Sequence, residues 1–210
     1  DTKIIPWKVL YTCPGSFLNG LQYEQLLPSE ANTLEKIQEI TPGAQPFKVI
    51  LGDFVTIEDG TGIVHTAPAF GADDFRVALK NNVPPLMVTD RNNHPAPLVD
   101  KKGRFFRLED LHESFISTNV NTEEYLTFAG RYVKNDYDAN LGADDPSVDI
   151  DIAVYLKKNN KAFRIEKHVH NYPHCWRTDK PVLYYPLDSW FIRASAAKER
   201  MAELNRTINW

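Results

Sequence analysis

The sequence predicts a domain of the α/β or α+β class, and three observations lead to that prediction. Short apolar runs bounded by Gly, Pro and Asp recur in the first half of the chain, as is typical of strands. Segments of the second half carry apolar residues at helical spacing. The 210 residues are 42% hydrophobic and 25% charged, a composition typical of one large or two small globular domains.

The strands are expected mainly before residue 90. Five apolar or alternating runs predict them, at residues 7–12, 21–27, 47–51, 54–57 and 86–89. The first two flank a turn at Pro14–Gly15, and the third and fourth are predicted to pair around Gly52–Asp53. Residues 33–46 are predicted to be a polar connection. A sixth run, at residues 162–170, alternates as a strand does.

Two helices have predictable ends. Asp73 is expected to cap a helix that runs to about Asn81, because its carboxylate can accept backbone N–H groups. A later helix is expected to open at Asp145-Pro146, with Pro146 at its first position, and to end at about Asn159. Its apolar residues recur at helical spacing, namely Ile150, Ala153, Val154 and Tyr155.

Two further segments complete the predicted organisation. Residues 195–205 are expected to form an amphipathic helix rich in Lys, Arg and Glu. Residues 90–131 are polar and are interrupted by Pro95, Pro97 and Gly103. Because connections of that length are usually functional or mobile, this segment is predicted to be an irregular loop.

Bulk properties exclude several classes of protein. The net charge of −4 argues against a general nucleic-acid coat, and no apolar run is long enough to span a bilayer. Two cysteines in unrelated surroundings argue against a secreted disulfide scaffold and favour a reducing, cytoplasmic setting. The chain has no signal-peptide pattern and does not begin with Met, so we expect a piece of a longer protein. We also expect this protein to be a monomer without a membrane partner.

The net charge conceals an asymmetry along the chain. Residues 157–210 hold 11 Lys and Arg against 5 Asp and Glu, a balance of +6, whereas residues 1–156 have a balance of −10. A basic C-terminal third can face a phosphate backbone. A solvated helical face accounts for the same charges, and the sequence leaves both interpretations open.

The segment with the most chemistry runs from Gly60 to Asp74. A glycine-bracketed turn leads into a short apolar run that ends in His65, and a Pro/Gly loop then delivers Asp73 and Asp74 to the start of a helix. One imidazole and two carboxylates therefore lie within ten residues. Such a cluster can bind a small polar ligand, although the residue types alone do not identify that ligand.

This segment resembles the editing-domain signature of the isoleucyl-tRNA synthetases. The matching residues are Gly60-Thr-Gly-Ile-Val-His-Thr-Ala-Pro-Ala-Phe-Gly-Ala-Asp-Asp-Phe75. Two later segments agree in order. His170-Asn-Tyr-Pro-His-Cys-Trp-Arg177 resembles the strand that returns to the catalytic body, and Ser189-Trp-Phe-Ile192 with the residues up to Trp210 resembles the segment beyond it.

The resemblance covers the chain from about Phe47 to the C-terminus and, more loosely, residues 7–27. It implies the mixed β-barrel-like α/β editing domain of the class I synthetases for Ile, Val and Leu, with peripheral helices. On that basis residues 1–166 are the editing domain, and residues 167–210 are the return strand and helix.

The resemblance also implies a function, which is a second sieve for amino acids. A hydrophobic pocket separates valine from isoleucine by only about 1–3 kcal/mol, a limit for which the isoleucine enzymes are the standard example. The family's editing domain admits valine attached to tRNA(Ile) and hydrolyses the ester. The implied partners are therefore the tRNA(Ile) acceptor end carrying valine and the rest of the synthetase.

The site residues carried over from the family are as follows. Asp74 matches the aspartate that holds the α-ammonium of the misattached amino acid by charge-assisted hydrogen bonds. His65 matches the pocket histidine, whose ring limits side-chain size or, alternatively, acts as a general base. The substrate-binding candidates are Gly60, Thr61, Gly62, Thr66 and Asp73. Structural alternatives stay open, namely helix capping for the carboxylates and a core position for the histidine.

Two departures from the family pattern are visible. The threonine-rich segment that precedes this stretch in the family is not found in residues 1–46, and the ATP-binding signatures of class I synthetases are missing. We therefore expect no cofactor in this chain, although the resemblance implies ATP with Mg²⁺ for the complete synthetase.

Four alternatives to an isoleucine editing enzyme stay open. The first two are a docking module for the tRNA acceptor end without turnover and the editing domain of the valyl or leucyl sister enzymes. The third is an unrelated metallohydrolase built on His65, Asp73 and Asp74. The last is zinc at His168-x-His170-x3-His174-Cys175, but that spacing matches no standard pattern, so no metal is predicted.

Overall fold

The computed structural model describes residues 6–27, 42–58, 60–142, 144–167 and 169–209. Within these ranges the helices are α1 (Ala72–Lys80), α2 (Glu113–Asn119), α3 (Thr122–Tyr125), α4 (Val148–Lys158) and α5 (Lys198–Asn205). Short 3-10 helices lie at Gly15–Leu18, Leu108–Asp110, Asn135–Tyr137 and Ala194–Ala197. None of the helices in these ranges is long and apolar enough to cross a membrane.

The strands of the described residues form one small antiparallel sheet. Strands β1 (Val88–Thr89) and β2 (Pro95–Ala96) pair with Val88 opposite Ala96. The predicted mixture of helix and strand is confirmed. Barrel closure is not seen in the described part of the chain, where the remaining strand-like pairing is limited to isolated bridges.

The largest cluster of buried residues includes Val88 of strand β1. Val88, Leu111, Phe115 and Tyr125 pack together there, and each is less than a tenth exposed. The hydroxyl group of Tyr125 donates to the carbonyl oxygen of Phe106 at 2.7 Å. A buried phenol needs such a partner, because an unpaired buried polar group costs about 1–3 kcal/mol.

This core shows that the prediction of an irregular loop over residues 90–131 is wrong. The segment contains β2, α2, α3 and the 3-10 helix at Leu108–Asp110. Asp90 and Asp100 order its first half, because each side chain accepts two backbone N–H groups, those of Asn92 and His94 and those of Lys102 and Arg104. These polar residues form tight turns through local side-chain hydrogen bonds. A prediction based on polarity alone does not distinguish such turns from an irregular loop.

The predicted strands are mostly wrong. Residues 7–12 and 162–167 form no strand, and residues 54–57 do not pair with residues 47–51. Residues 47–49 run instead beside residues 20–23, where the N–H groups of Tyr23 and Val49 bond the carbonyls of Phe47 and Leu21 at 2.9 and 2.8 Å. Only the strand at residues 86–89 is confirmed, shortened to β1. Apolar runs specify no pairing partner, because strand register depends on contacts far along the chain.

Two stretches of the predicted organisation are only partly described. Most of the predicted polar connection at residues 33–46 lies outside the described residues, as does His168 in the predicted strand over residues 162–170.

The helices agree better with the sequence, with two corrections. Gly71 is the N-cap of α1, so Asp73 lies in the first turn and does not cap the helix. Ser147 caps α4 through its hydroxyl oxygen, which accepts the N–H of Ile150 at 3.4 Å, so Pro146 precedes the helix and is not its first residue. The predicted end of α4 at Asn159 is confirmed, as is a helix near residues 195–205.

Candidate functional site

The first turn of the candidate site is shaped by two glycines. Gly60 and Gly62 have φ angles of 69° and 72°, in the left-handed region that favours glycine. Thr61 closes the turn, because its hydroxyl oxygen accepts the N–H of Ile63 at 3.3 Å. A Cβ atom at Gly62 would lie 3.1 Å from Cγ2 of Ile57, whereas one at Gly60 would meet nothing within 4 Å. Both glycines therefore allow the left-handed backbone conformation of the turn, and Gly62 also allows the close approach of Ile57.

Asp74 braces the second turn of the site. Its Oδ2 atom accepts the backbone N–H of Ala67 at 3.0 Å. The same turn is closed by the N–H of Phe70, which donates to the carbonyl oxygen of Ala67 at 2.9 Å. The Asp74 side chain is half-buried, and its Oδ1 atom accepts no hydrogen bond from the described residues. One carboxylate oxygen thus supports the turn, and the other is available to a cation.

Asp73 has different surroundings. It is exposed and forms an ion pair with Arg76 one turn along α1. Both carboxylates lie in the first turn of the helix, where the helix dipole favours negative charge. These contacts give Asp73 a part in stabilising α1, and its role in substrate binding stays a prediction.

A cavity of about 1380 Å³ lies against this segment. Its lining is mostly apolar and is drawn from residues 15–26, 46–57, 62–70, 83–88 and 149–166, together with Val77 and Leu98. Gly62, His65 and Thr66 lie on the wall, whereas Gly60, Thr61, Asp73 and Asp74 do not line it. Asp74 does contact the wall, because its carboxylate accepts the N–H of Ala67, which lines the cavity.

A second part of the wall was not predicted from the sequence. One face of α4 lines the cavity, through Asp149, Ile152, Ala153 and Leu156. These positions are three or four residues apart and therefore share a face. The sequence prediction had grouped Ala153 with Ile150 and Val154, which are 57% and 43% exposed. The pair Ile152 and Leu156, one turn apart, was the signal that identifies the correct face.

Two lysines on the cavity wall connect separate parts of the chain. Lys48 donates its ammonium group to the carbonyl oxygen of Asn81 at 3.1 Å. Lys161 donates to the carbonyl oxygens of Gln25 and Leu26 at 3.3 and 3.1 Å. These bonds tie α1 and the N-terminal segment to the wall, so both ammonium groups have structural partners.

The remaining polar part of the wall is small. Arg164 and Glu166 form an exposed ion pair. Burial raises the pKa of the phenol of Tyr23, another wall residue, above its ordinary value. The cavity therefore presents mainly apolar groups, with His65 and Thr66 as the polar side chains of the predicted site.

A metal centre is among the alternatives that the sequence leaves open. Within the described residues, no group of three or more His, Cys, Asp or Glu side chains is placed to hold a metal ion, and this includes His65, Asp73 and Asp74. His168 lies outside the described residues. At Cys175, hydrogen bonds from the Thr178 side chain and from the backbone of Arg177 and Thr178 lower the pKa of the thiol.

Comparison with known proteins gives a consistent result. The chain is 55% identical over 208 residues to the isoleucine–tRNA ligase of Bacteroides fragilis, which covers 99% of the chain and 17% of that ligase. It is 52% identical over 208 residues to the ligase of Porphyromonas gingivalis, with the same shares covered. Identity to the ligase of Thermoplasma volcanium is 40% over 204 residues, covering 97% of the chain and 15% of the relative. No protein-family profile matches the chain.

These relatives place the chain in the class of aminoacyl-tRNA ligases. The chain spans about 17% of the length of the Bacteroides fragilis and Porphyromonas gingivalis ligases. Within the class, the chain belongs to the isoleucine–tRNA ligase family, as a segment of such a ligase. The resemblance found in the sequence is thereby confirmed at the level of the family.

Proposed function

We propose that this chain is the editing portion of an isoleucine–tRNA ligase and hydrolyses the ester of valine misattached to tRNA(Ile). The observation that supports this most is the position of the Gly60–Asp74 signature, whose His65 and Thr66 lie on the wall of an apolar cavity. Ligand sites combine apolar walls with a few placed polar groups, and an aliphatic aminoacyl ester needs both. Isoleucine attachment by the complete ligase with ATP and Mg²⁺, its cytoplasmic location and a completed β-barrel-like domain belong to the same proposal.

In this mechanism Asp74 anchors the substrate. The bond from Ala67 fixes Oδ2, which leaves Oδ1 to accept a charge-assisted hydrogen bond from the α-ammonium of valine. Anchoring the ammonium positions the ester carbonyl for attack by water, and positioning can supply a large part of the rate. Water adds its oxygen to the carbonyl carbon and a proton to the departing ribose oxygen, which gives free valine and free tRNA. His65 occupies the room that a larger side chain needs.

Two substitutions at Asp74 separate anchoring from bracing of the turn. Asp74→Asn retains an oxygen that can accept the Ala67 N–H but removes the negative charge, whereas Asp74→Ala removes both. In the full-length ligase that contains this segment, we expect both variants to hydrolyse Val-tRNA(Ile) about 100-fold more slowly. Val-tRNA(Ile) should then accumulate during charging with valine, measured with labelled amino acid.

The matched control is Asp144→Asn, because Asp144 is exposed, lies outside the signature and the cavity lining, and has no partner among the described residues. This variant should retain wild-type hydrolysis. Loss of activity in Asp74→Ala but not in Asp74→Asn would assign Asp74 to bracing alone. Wild-type levels of Val-tRNA(Ile) in both variants would contradict the proposed role entirely.

A second candidate is a docking module that binds the acceptor end without turnover. Two observations favour it for this chain alone: the threonine-rich segment is not found in residues 1–46, and a cavity of about 1380 Å³ is far larger than a valine side chain. Hydrolysis of Val-tRNA(Ile), with Ile-tRNA(Ile) as control, by the chain and by the complete ligase distinguishes the two. Salt-dependent tRNA binding by the chain without hydrolysis would support docking.

A further inference from the structure

Helix α4 supplies part of the cavity wall, and little packing fixes its position. One face of the helix lines the cavity, from Asp149 to Leu156. Of the residues of α4, only Val148 is buried. Most helices in proteins are stabilised by the packing of an apolar face against the rest of the fold. With a single buried residue, the position of α4 depends on other contacts.

The strongest of these contacts is an ion pair. Nη1 of Arg131 donates to Oδ2 of Asp151, in the first turn of α4, at 2.6 Å. Within the described residues, this is the only hydrogen bond or ion pair that joins a side chain of α4 to another part of the chain. The two side chains are 34% and 40% exposed. An ion pair of that exposure shifts an equilibrium between two positions of a helix by up to about fivefold.

Arg131 is itself held by an ordered part of the molecule. Its carbonyl oxygen accepts the N–H of Phe105 at 2.8 Å, and its own N–H donates to the carbonyl oxygen of Phe128 at 3.1 Å. The rings of Phe105 and Phe128 lie 6.1 Å apart, and Phe128 is buried. The ion pair therefore ties α4 to the folded segment that ends at Arg131.

The pair acts from outside the cavity. Neither Arg131 nor Asp151 lines it, whereas Ile152, the next residue of α4, does. A helix moves as a unit, because backbone hydrogen bonds join each residue to the one four positions away. A contact that holds Asp151 thus also holds the lining face, and loss of the pair can move the wall without changing any side chain on it.

Discrimination between valine and isoleucine requires walls with fixed positions. The two side chains differ by one methylene, and the cavity, at about 1380 Å³, is far larger than either. A small outward movement of α4 provides the room that the additional methylene needs. His65 limits the room from the signature segment, but its effect depends on where the other lining segments stand.

We propose that the Arg131–Asp151 ion pair positions α4 and thereby limits the size of the amino acid that the cavity accepts. This inference rests on the proposed function, since it names residues that set the specificity of the same cavity. Arg131 and Asp151 are positioning residues, because they act through the lining residues of α4 and do not themselves line the cavity.

The test measures hydrolysis of Val-tRNA(Ile) and Ile-tRNA(Ile) by the full-length ligase and by Asp151→Ala, Arg131→Gln and the double variant. Ala is the best helix former, so Asp151→Ala removes the pair without introducing a poor helix residue. We expect kcat/KM for the isoleucyl ester to rise about fivefold, through KM, and that for the valyl ester to change less than about twofold. The double variant should match each single variant, because the two residues act through one contact.

Two further variants separate positioning from a general folding defect. Only Nη1 of Arg131 hydrogen bonds Asp151, so Arg131→Lys can retain the pair and should keep the wild-type ratio of the two esters. The matched control is Glu109→Ala, which removes the exposed ion pair between Glu109 and Arg107 and no contact of α4. It should also keep the wild-type ratio. An unchanged ratio in Asp151→Ala, or an equal change in the control, would overturn the proposal.

Failure of the proposed function gives a different result. If the wild-type ligase does not hydrolyse Val-tRNA(Ile), the editing proposal fails. Amide hydrogen exchange of residues 152–158 then tests the pair directly, and it should be about fivefold faster in Asp151→Ala than in Glu109→Ala. Equal exchange in the two variants would show that the ion pair does not hold α4.

Discussion

At the scale of single residues, the two glycines of the first site turn have the same backbone conformation and different surroundings. An L-residue in the left-handed region costs about 1–2 kcal/mol at either position. At Gly62 the new methyl group would also press on Cγ2 of Ile57, 3.1 Å away. We expect Gly62→Ala to destabilise the turn by about 2–3 kcal/mol and Gly60→Ala by about 1–2 kcal/mol.

Amide hydrogen exchange of the peptide around Ile63 measures this difference, because faster exchange reports easier local opening. Gly15→Ala is the control, since Gly15 has neither a positive φ angle nor a neighbour within 4 Å of a new Cβ atom. Equal acceleration by Gly60→Ala and Gly62→Ala would show that the contact with Ile57 has no effect.

Also at this scale, the candidate site shows what a sequence can and cannot reveal. His65 and Thr66 are near each other in sequence, so one local signature predicts them together, and the structure places both on the cavity wall. The bond between Asp74 and Ala67 was not predicted, because it depends on how the intervening turn closes. The facing wall comes from Ile152 and Leu156, more than eighty residues later, and no local pattern specifies that contact.

At the scale of elements, α1, α4 and α5 were predictable and most of the strands were not, for a physical reason. The residues that stabilise α4 are within the helix or next to it, such as the Ser147 cap and the lysines of its last turn. Strand pairing joins distant segments, as between residues 20–23 and 47–49, and the pattern within one strand does not identify its partner. The prediction of a loop at residues 90–131 was wrong for a related reason. The contacts that order this segment join separate elements, and a local pattern does not show them.

The short helix α3 packs against this core through Tyr125, its last residue. Tyr125→Phe retains the ring packing but leaves the carbonyl oxygen of Phe106 without its hydroxyl donor. We expect a decrease of about 1–3 kcal/mol in local stability, measured by hydrogen exchange of residues 105–130. Tyr184→Phe removes a hydroxyl from a residue that is 55% exposed and should have no effect. Unchanged exchange in Tyr125→Phe would mean that this hydrogen bond does not stabilise the core.

At the scale of the whole molecule, the chain exposes more surface than a self-contained protein does. Its accessible surface is 17088 Å², about 1.7 times the roughly 9,900 Å² of a compact monomer of 24.0 kDa. The exposed residues include many large apolar side chains, and Trp190, Phe191 and Ile192 are each at least nine-tenths exposed. Exposed apolar runs of this kind mark surfaces that bind another protein surface. Since the chain matches only about 17% of its relatives, the remainder of the ligase is available to cover them.

Covering of this run in the complete ligase is directly measurable. Hydroxyl-radical footprinting with mass spectrometry should oxidise residues 189–193 readily in the isolated chain, and at least about fivefold more slowly in the ligase, because a covered side chain is shielded from solvent. Tyr125, 1% exposed, is the internal control and should react slowly in both, which also shows that the isolated chain keeps its core. Equal oxidation of residues 189–193 in the two proteins would mean that the run stays exposed in the ligase. Fast oxidation of Tyr125 in the isolated chain alone would mean instead that the core itself depends on the neighbouring parts of the ligase.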